Sequence, residues 1–395
     1  MKHFPTVLAL LTLLILGGCT GTQEAALPTL LIVGSVQPGG AQLQLLEDVR
    51  DPLATPPRSL VPVTGSSRPL PAPPVSLDVV ERNGSRSELV VLVRDDSLDI
   101  TELHFFDLSD LDTGDPNFFA QSRTPIDVAS ILPVEVTEGL PVCLTQVQVG
   151  PGTATGPGRY AALLDSCTGA GIAEVHVIDL QEEEHLFSLA NEFTGVRPLP
   201  AGIHVDQERD LLFFASADFG ETAVWSTPLT GDTVPQLVGN ADLDLETADR
   251  ADLAPASNGI ALLADDLLAL VPFDAGGDTP PGPATTLTAG ESILPDPLGN
   301  LETLVVLSRS AVAIHDGPLN GDPEEFSLTA PLAGATLEPV ERFAYLLEEG
   351  GIEILDLFPY AEPPADRLLF REVAGLDDPR VISWAFASQG AATTP

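Results

Sequence analysis

Residues 210–232 read DLLFFASADFGETAVWSTPLTGD, two apolar runs joined by a polar turn and closed by a Gly-Asp pair. Short apolar runs rich in Phe, Val and Trp, bounded by Gly and Asp, are strand-like, so the stretch predicts a hairpin. The Gly-Asp pair returns at 277–278 and at 321–322, spacings of 46 and 44 residues, and stands once earlier at 114–115. The same order of run, turn and run precedes it in GIALLADDLLALVPFD (259–274) and TLVVLSRSAVAIHDGPL (303–319). A fixed period of this size is the mark of a repeat architecture and is tested before any other fold.

Four further hairpins follow the same grammar: TLLIVGSVQPGGAQLQLLED (29–48), ELVVLVRDDSLDITELHFFDL (88–108), RYAALLDSCTGAGIAEVHVIDL (159–180) and RFAYLLEEGGIEILDLF (342–358). Most are followed by another short strand, such as PQLVG, EHLFSLA or RLLFREV, and several are preceded by one, as in VSLDVVER, CLTQVQVG and GIHVDQ. Four short strands per unit is the sequence form of a β-propeller blade. The fold expected is all-β, a seven-bladed β-propeller, with six or eight blades as the alternative counts because the loops are Pro-rich and the blades unequal. The first hairpin has a strand after it near SLVPV and none before it, while RVISWAFAS (380–388) ends the chain with none after it. Pairing the two orphans supplies the inner strand of the first blade and closes the ring, leaving no open sheet edge between first and last blade.

The first 18 residues carry Lys2, an apolar run and then Leu-Gly-Gly before Cys19. The run is short for a membrane span and has the layout of an export signal. It resembles the lipobox of bacterial lipoproteins. That resemblance implies cleavage before Cys19, acylation of Cys19, and retention at the cell envelope, facing the periplasm or the outer-membrane exterior. Residues 1–18 are thus read as signal peptide, 19–28 as tether and 29–395 as one propeller domain. Export places Cys143 and Cys167 in an oxidising compartment, where a leftover pair bonds. If CLTQVQVG and RYAALLDSC are neighbouring antiparallel strands, the two cysteines fall within about one residue of facing each other.

Composition narrows the partners. The chain carries 58 acidic residues against 17 basic ones, a formal charge of −41. So acidic a surface excludes nucleic acid as a partner, because phosphate recognition needs basic groups.

The stretch VRPLPAGIHVDQERDLLFFASADFGETAVWSTPLTGD (196–232) resembles one repeat of the YVTN, NHL and YWTD propellers, and EVHVIDLQ and ELHFFDLS resemble the third strand of YVTN repeats. These motifs are structural, so the resemblance implies a fold rather than an activity. Propeller enzymes of this group, the lactonase-like and gluconolactonase-like ones, often hold a metal or catalytic His and Glu in the central funnel. His204 and Asp206 in GIHVDQ, with Asp78 in SLDVV, are the candidates this brings forward, although a strand Asp in the YWTD-like pattern is a packing and turn residue.

The remaining residues favour no chemistry. His104 and His176 occupy equivalent places in two repeats and are read as repeat features. The acidic runs at 110–115 and 242–249 lack the spacing of an EF-hand, no nucleophile elbow or metalloprotease helix motif occurs, and two tryptophans, Trp225 and Trp384, are too few for a quinone-stacking propeller. No catalytic, metal or cofactor residue is therefore assigned. Arg68, Arg123, Arg197, Arg250 and Arg380 are read as lying in connectors that lead into inner strands, where they would ring the channel mouth and suit an anionic ligand. The expected function is a lipid-anchored binding or scaffold module, engaging the membrane through Cys19 and an envelope protein or anionic ligand at the mouth. The alternative is a lactonase-like hydrolase with its site in the funnel.

Overall fold

The computed structural model describes residues 28–50, 58–82, 85–109, 111, 119–133, 142–150, 158–166, 173–189, 202–207, 209–218, 221–231, 234–241, 251–256, 259–264, 267–272, 285–286, 292–295, 303–316, 323–338, 340–357 and 367–387. These residues form seven antiparallel sheets arranged as the blades of a propeller. Blade 1 contains β1 (Thr29–Gln37), β2 (Gly40–Arg50) and β3 (Arg58–Pro62), with a two-residue strand, β4 (Arg68–Pro69), also paired to β2. Blade 2 is β5 (Pro74–Arg82), β6 (Ser85–Asp95), β7 (Ile100–Asp107) and β8 (Gln121–Asp127), the last leading into a single helical turn, α1 (Val128–Ile131). Blade 3 is β9 (Leu144–Val149), β10 (Tyr160–Asp165), β11 (Glu174–Asp179) and β12 (Glu184–Leu189); blade 4 is β13 (His204–Asp206), β14 (Leu211–Asp218), β15 (Glu221–Pro228) and β16 (Gln236–Ala241). Blade 5 is β17 (Ala251–Ala256), β18 (Gly259–Ala264), β19 (Leu267–Pro272) and β20 (Thr285–Thr286); blade 6 is β21 (Ser292–Pro295), β22 (Thr303–Leu307), β23 (Ala311–Asp316) and β24 (Glu324–Ser327). Blade 7 is β25 (Leu332–Glu338), β26 (Phe343–Glu348), β27 (Gly351–Asp356) and β28 (Leu368–Glu372).

The ring closes as the orphan strands require. The last strand among the described residues, β29 (Pro379–Phe386), pairs antiparallel with β1, setting Leu31 opposite Trp384 and Val33 opposite Ile382. Blade 1 is therefore built from both ends of the domain. The pairing slips between Gly34 and Ser35, and a Cβ on Gly34 would stand 2.6 Å from Val381 Cγ2 and 2.9 Å from Pro74 Cγ. Glycine is what lets β1 pass beneath blade 2 at that bulge.

The leading strands touch in one unbroken cycle, β29 to β5, β9, β13, β17, β21, β25 and back to β29, which identifies them as the inner strands around the axis. Sheets packed on both faces bury side chains of both parities, and this explains why the hairpins read as continuous apolar runs. On β1, Leu30 and Ile32 pack toward Val79, Leu89 and Val91 of blade 2, while Leu31 and Val33 pack toward Tyr345, Leu347 and Ile352 of blade 7. Truncating any of these leucines to Ala costs about 2–5 kcal/mol, since the neighbours close only part of the cavity.

The junction of blades 7 and 1 also holds a buried polar knot. Asp48, with its side chain fully buried, accepts from Tyr345 Oη at 2.9 Å and from Arg58 Nε at 2.8 Å, and the Arg58 guanidinium lies 4.0 Å above the Phe343 ring. Burial and the Asp48 carboxylate push the Tyr345 phenol far above its ordinary range, so it stays a donor.

Candidate functional site

The channel wall is made by the inner strands, and its polar side chains follow a two-residue period. On β5, Ser76 Oγ accepts from Val147 N at 3.1 Å and Asp78 Oδ2 accepts from Val149 N at 2.7 Å, both on β9 of the next blade. On β9 itself, Gln146 exchanges two hydrogen bonds with the backbone of Ile203, and Gln148 Oε1 accepts from Val205 N at 2.7 Å, both in blade 4. Blade 5 repeats the device, Asp252 Oδ2 accepting from Ile293 N of blade 6 at 3.0 Å. Residues two apart point to one side of a strand, so each wall side chain reaches forward to the backbone of the following blade.

These groups do in the wall what a sheet ladder does within a blade. Inner strands of neighbouring blades are not paired with each other, and their backbone N–H groups still need acceptors. Asp78 and Asp252 each take a second bond, from the N–H of Val79 at 2.8 Å and Leu253 at 2.9 Å. Even so, burial wins: it raises Asp78 to about 7 and Asp252 to about 6. Gly202 is fitted to this arrangement, because a Cβ there would stand 2.5 Å from Asp252 Oδ1 and 3.0 Å from its Cα.

Near the ends of β5 and β13, a side-chain amide links blades 2 and 4. Gln207 of blade 4 donates to Val79 O at 2.8 Å and accepts from Glu81 N at 2.7 Å, bridging to blade 2 past the end of blade 3. Nearby, Arg86 donates to Trp384 O at 2.6 Å, pairs with Glu81 at 3.2 Å, and lies 4.1 Å above the Trp384 ring. Its burial lowers the guanidinium to about 10, so it remains charged at neutral pH.

His204 lies on β13, stacked 6.2 Å from the Phe213 ring, and burial lowers it to about 4, keeping the imidazole neutral. Asp206 accepts from Arg209 N at 3.1 Å and pairs with the Arg209 guanidinium at 3.0 Å, the turn role expected of it. The structure thus brings Asp78 and the glutamines together through the backbone of blade 3, and leaves His204 to an aromatic contact within its own blade.

The arginine ring takes a different form from the one expected. Arg68 lies on the two-residue strand β4, in the segment between β3 and the inner strand β5, where it donates to Phe119 O at 2.8 Å and to Gly65 O at 2.8 Å. Arg123 is instead on β8, the outer strand of blade 2, 4.0 Å above the Phe105 ring and paired with the buried Glu88 at 2.7 Å. Arg380 begins the inner strand β29 and pairs with Asp378 at 2.7 Å. Local carboxylates, carbonyls and rings draw these three guanidinium groups to separate places, a correction to the connector reading for Arg123 and Arg380. Arg197 and Arg250 lie outside the described residues, as do Cys19, Cys167 and the acidic run at 242–249.

His104 and His176 occupy matching positions on the third strands of blades 2 and 3. His104 Nε2 contacts Glu102 Oε2 at 2.9 Å. His176 Nδ1 and His185 Nε2 each lie 2.8 Å from Ser188 Oγ, a cluster missed in the sequence because His185 sits in the following strand. Among the described residues, no group of three or more His, Cys, Asp or Glu is placed to hold a metal ion.

Comparison with known proteins agrees at the level of fold. No family model matches the chain, and no curated protein does. Among solved structures, a protein of unknown function from Desulfotomaculum acetoxidans superposes with a TM-score of 0.57 at 10% identity, over 91% of this chain and 99% of the other. A candidate 6-phosphogluconolactonase from Bacteroides uniformis gives 0.57 at 12% identity, covering 91% and 99%. Another from Bacteroides fragilis gives 0.56 at 10% identity, covering 92% and 99%. The class defined is the seven-bladed β-propeller, and these neighbours share that fold with it.

Proposed function

We propose that this chain is a binding or scaffold propeller held at the cell envelope through acylated Cys19, rather than an enzyme of the funnel. One observation carries the reading: the hydroxyl, carboxylates and amides of the channel wall are committed to backbone N–H groups of the next blade, Ser76 and Asp78 to β9, Gln146 and Gln148 to Ile203 and Val205 of blade 4, and Asp252 to β21. Freeing such a carboxylate for acid–base or metal chemistry would orphan a buried N–H, a cost of about 1–3 kcal/mol each. An anionic ligand or envelope protein then meets the propeller on its loops, which in this fold surround the channel ends.

The competing reading is a lactonase-like hydrolase, and it draws on the fold shared with candidate 6-phosphogluconolactonases. Hydrolysis of 6-phosphogluconolactone by the purified chain decides between them. The module reading expects no acceleration over buffer; turnover lost on His204→Ala or Asp78→Asn would establish the hydrolase. The anchor is tested separately by fractionation: Cys19→Ala should move the protein from membranes to the soluble fraction, and continued membrane retention would remove the anchor.

A further inference from the structure

Glu348 and Glu353 stand on neighbouring strands of blade 7, β26 and β27, where Leu346 faces Glu353 across the hairpin. Glu348 is two residues from Leu346, so both carboxyl groups share one face of the sheet, the face that Leu346 and Leu355 turn toward blade 6. Both residues are buried, 0% and 2% exposed. They hold the segment by which the chain crosses from blade 6 into blade 7: Thr329 N donates to Glu353 Oε1 at 2.9 Å, Thr329 Oγ1 donates to the same oxygen, and Ala330 N donates to Glu348 Oε2 at 2.7 Å.

The other two oxygens, Glu348 Oε1 and Glu353 Oε2, are buried and have no hydrogen-bond partner among the described residues. Two ionised carboxylates on one buried face would each leave lone pairs unmet and would repel each other. One proton removes both difficulties, turning two orphan acceptors into a donor and an acceptor. The surrounding charges offer no substitute. Arg309 on the blade 6 turn, Glu349 in the hairpin turn and Glu372 on β28 are exposed, and Arg371 donates to Phe370 O. None of them makes a hydrogen bond or ion pair with either glutamate among the described residues.

We propose that Glu348 and Glu353 share one proton, and that its loss to solvent loosens the crossing at Thr329 and Ala330, making blade 7 a pH-sensitive point of the ring. Burial, with the Glu353 charge beside it, raises Glu348 from an ordinary 4.5 to about 7. A raised acid stabilises the closed state fully below the ordinary value, and the contribution is lost as the pH climbs through the raised one. Between those limits opening releases a proton, so the opening equilibrium grows about tenfold per pH unit and then levels off.

The test is hydrogen exchange of the full chain, read at the Thr329 and Ala330 amides and corrected for the intrinsic rate. Protection should fall about tenfold per unit from pH 5 to 7 and flatten above. In Glu348→Gln the side-chain amide supplies the donor permanently, so protection should become flat across that range; Glu353→Gln is the second variant if the first does not fold. Infrared difference spectra of the unaltered chain should show a protonated carboxyl band near neutral pH that either substitution removes. Protection without pH dependence, or a pH dependence unchanged in both variants, would overturn the proposal. So would recovery of protection at pH 8 on adding calcium ions, because the pair would then be a cation site.

Discussion

Replacing Trp384 by Ala tests the closure of the ring at one side chain. Trp384 is 7% exposed and packs among Leu31, Val33, Leu46 and Tyr345, so its loss opens a cavity between blades 1 and 7. Truncating a buried Trp or Phe to Ala costs about 3–5 kcal/mol. The ring also faces the buried Arg86 guanidinium at 4.1 Å, a contact worth about 1–2 kcal/mol when desolvated. The sum, about 4–7 kcal/mol, is a large part of the 5–15 kcal/mol typical of whole domains. Urea unfolding followed by circular dichroism should show the midpoint move sharply downward with the slope nearly unchanged. Removing residues 379–395 goes further, since it takes away the whole of β29 and leaves the ladder groups of β1 without partners. That chain should not fold to a cooperative state at 37 °C. If Trp384→Ala shifted stability by less than 1 kcal/mol, or the shortened chain melted like its parent, the latch would not be what holds the ring.

Other consequences follow from named groups. Asp78 and Asp252 are raised from 3.8 to about 7 and about 6, so the stability they confer is present below pH 4 and is lost as the pH rises to 7, on the order of 3–4 kcal/mol each. The thermal midpoint should therefore be higher at pH 5 than at pH 7.5, and a midpoint that climbs across that interval would show that the staples do not govern it. Glu88→Gln breaks the pair with Arg123, whose guanidinium stays partly buried over Phe105, and should cost about 2–3 kcal/mol in chemical denaturation; an unchanged midpoint would mark the pair as energetically idle. The β9–β10 register places Leu144 opposite Asp165, which carries Cys143 to the level of residue 166, one short of Cys167. A Cys143–Cys167 disulfide closing that loop should contribute about 3 kcal/mol, and two free thiols on labelling the denatured, unreduced protein would exclude it.

Much of the fold was legible because propeller blades bury both faces. The second strand of each blade carries a continuous apolar run that a turn joins to the strand after it, and RVISWAFAS stands out by having no neighbour in sequence to pair with. The strands with a weak apolar signal lie at the margins of the blades. Inner strands β17 (ADLAPA), β21 (SILP) and β25 (LAGATLE) are short or mix small, polar and Pro residues, and the outer strand β8 (QSRTPID) is mostly polar. Apolar periodicity weakens wherever one side of a strand meets a channel or solvent, so these segments look like loops until the ring supplies their partners.

The wall of the channel was harder to read for a related reason. Ser-x-Asp at 76–78 and Gln-x-Gln at 146–148 carry a period of two that a sequence can show, but their acceptor role depends on the backbone of another blade, 71 residues away for Asp78 and 57 for Gln148. A buried carboxylate in a propeller funnel invites a catalytic reading until its bonds are counted. Here the count assigns both Asp78 oxygens to N–H groups, one of its own strand and one of the next. Burial has raised this carboxylate as it raises many catalytic acids, yet the cause is the seam between blades 2 and 3. What a perturbed acid does is decided by where its hydrogen bonds lead, and in this wall they lead from each blade to the one that follows.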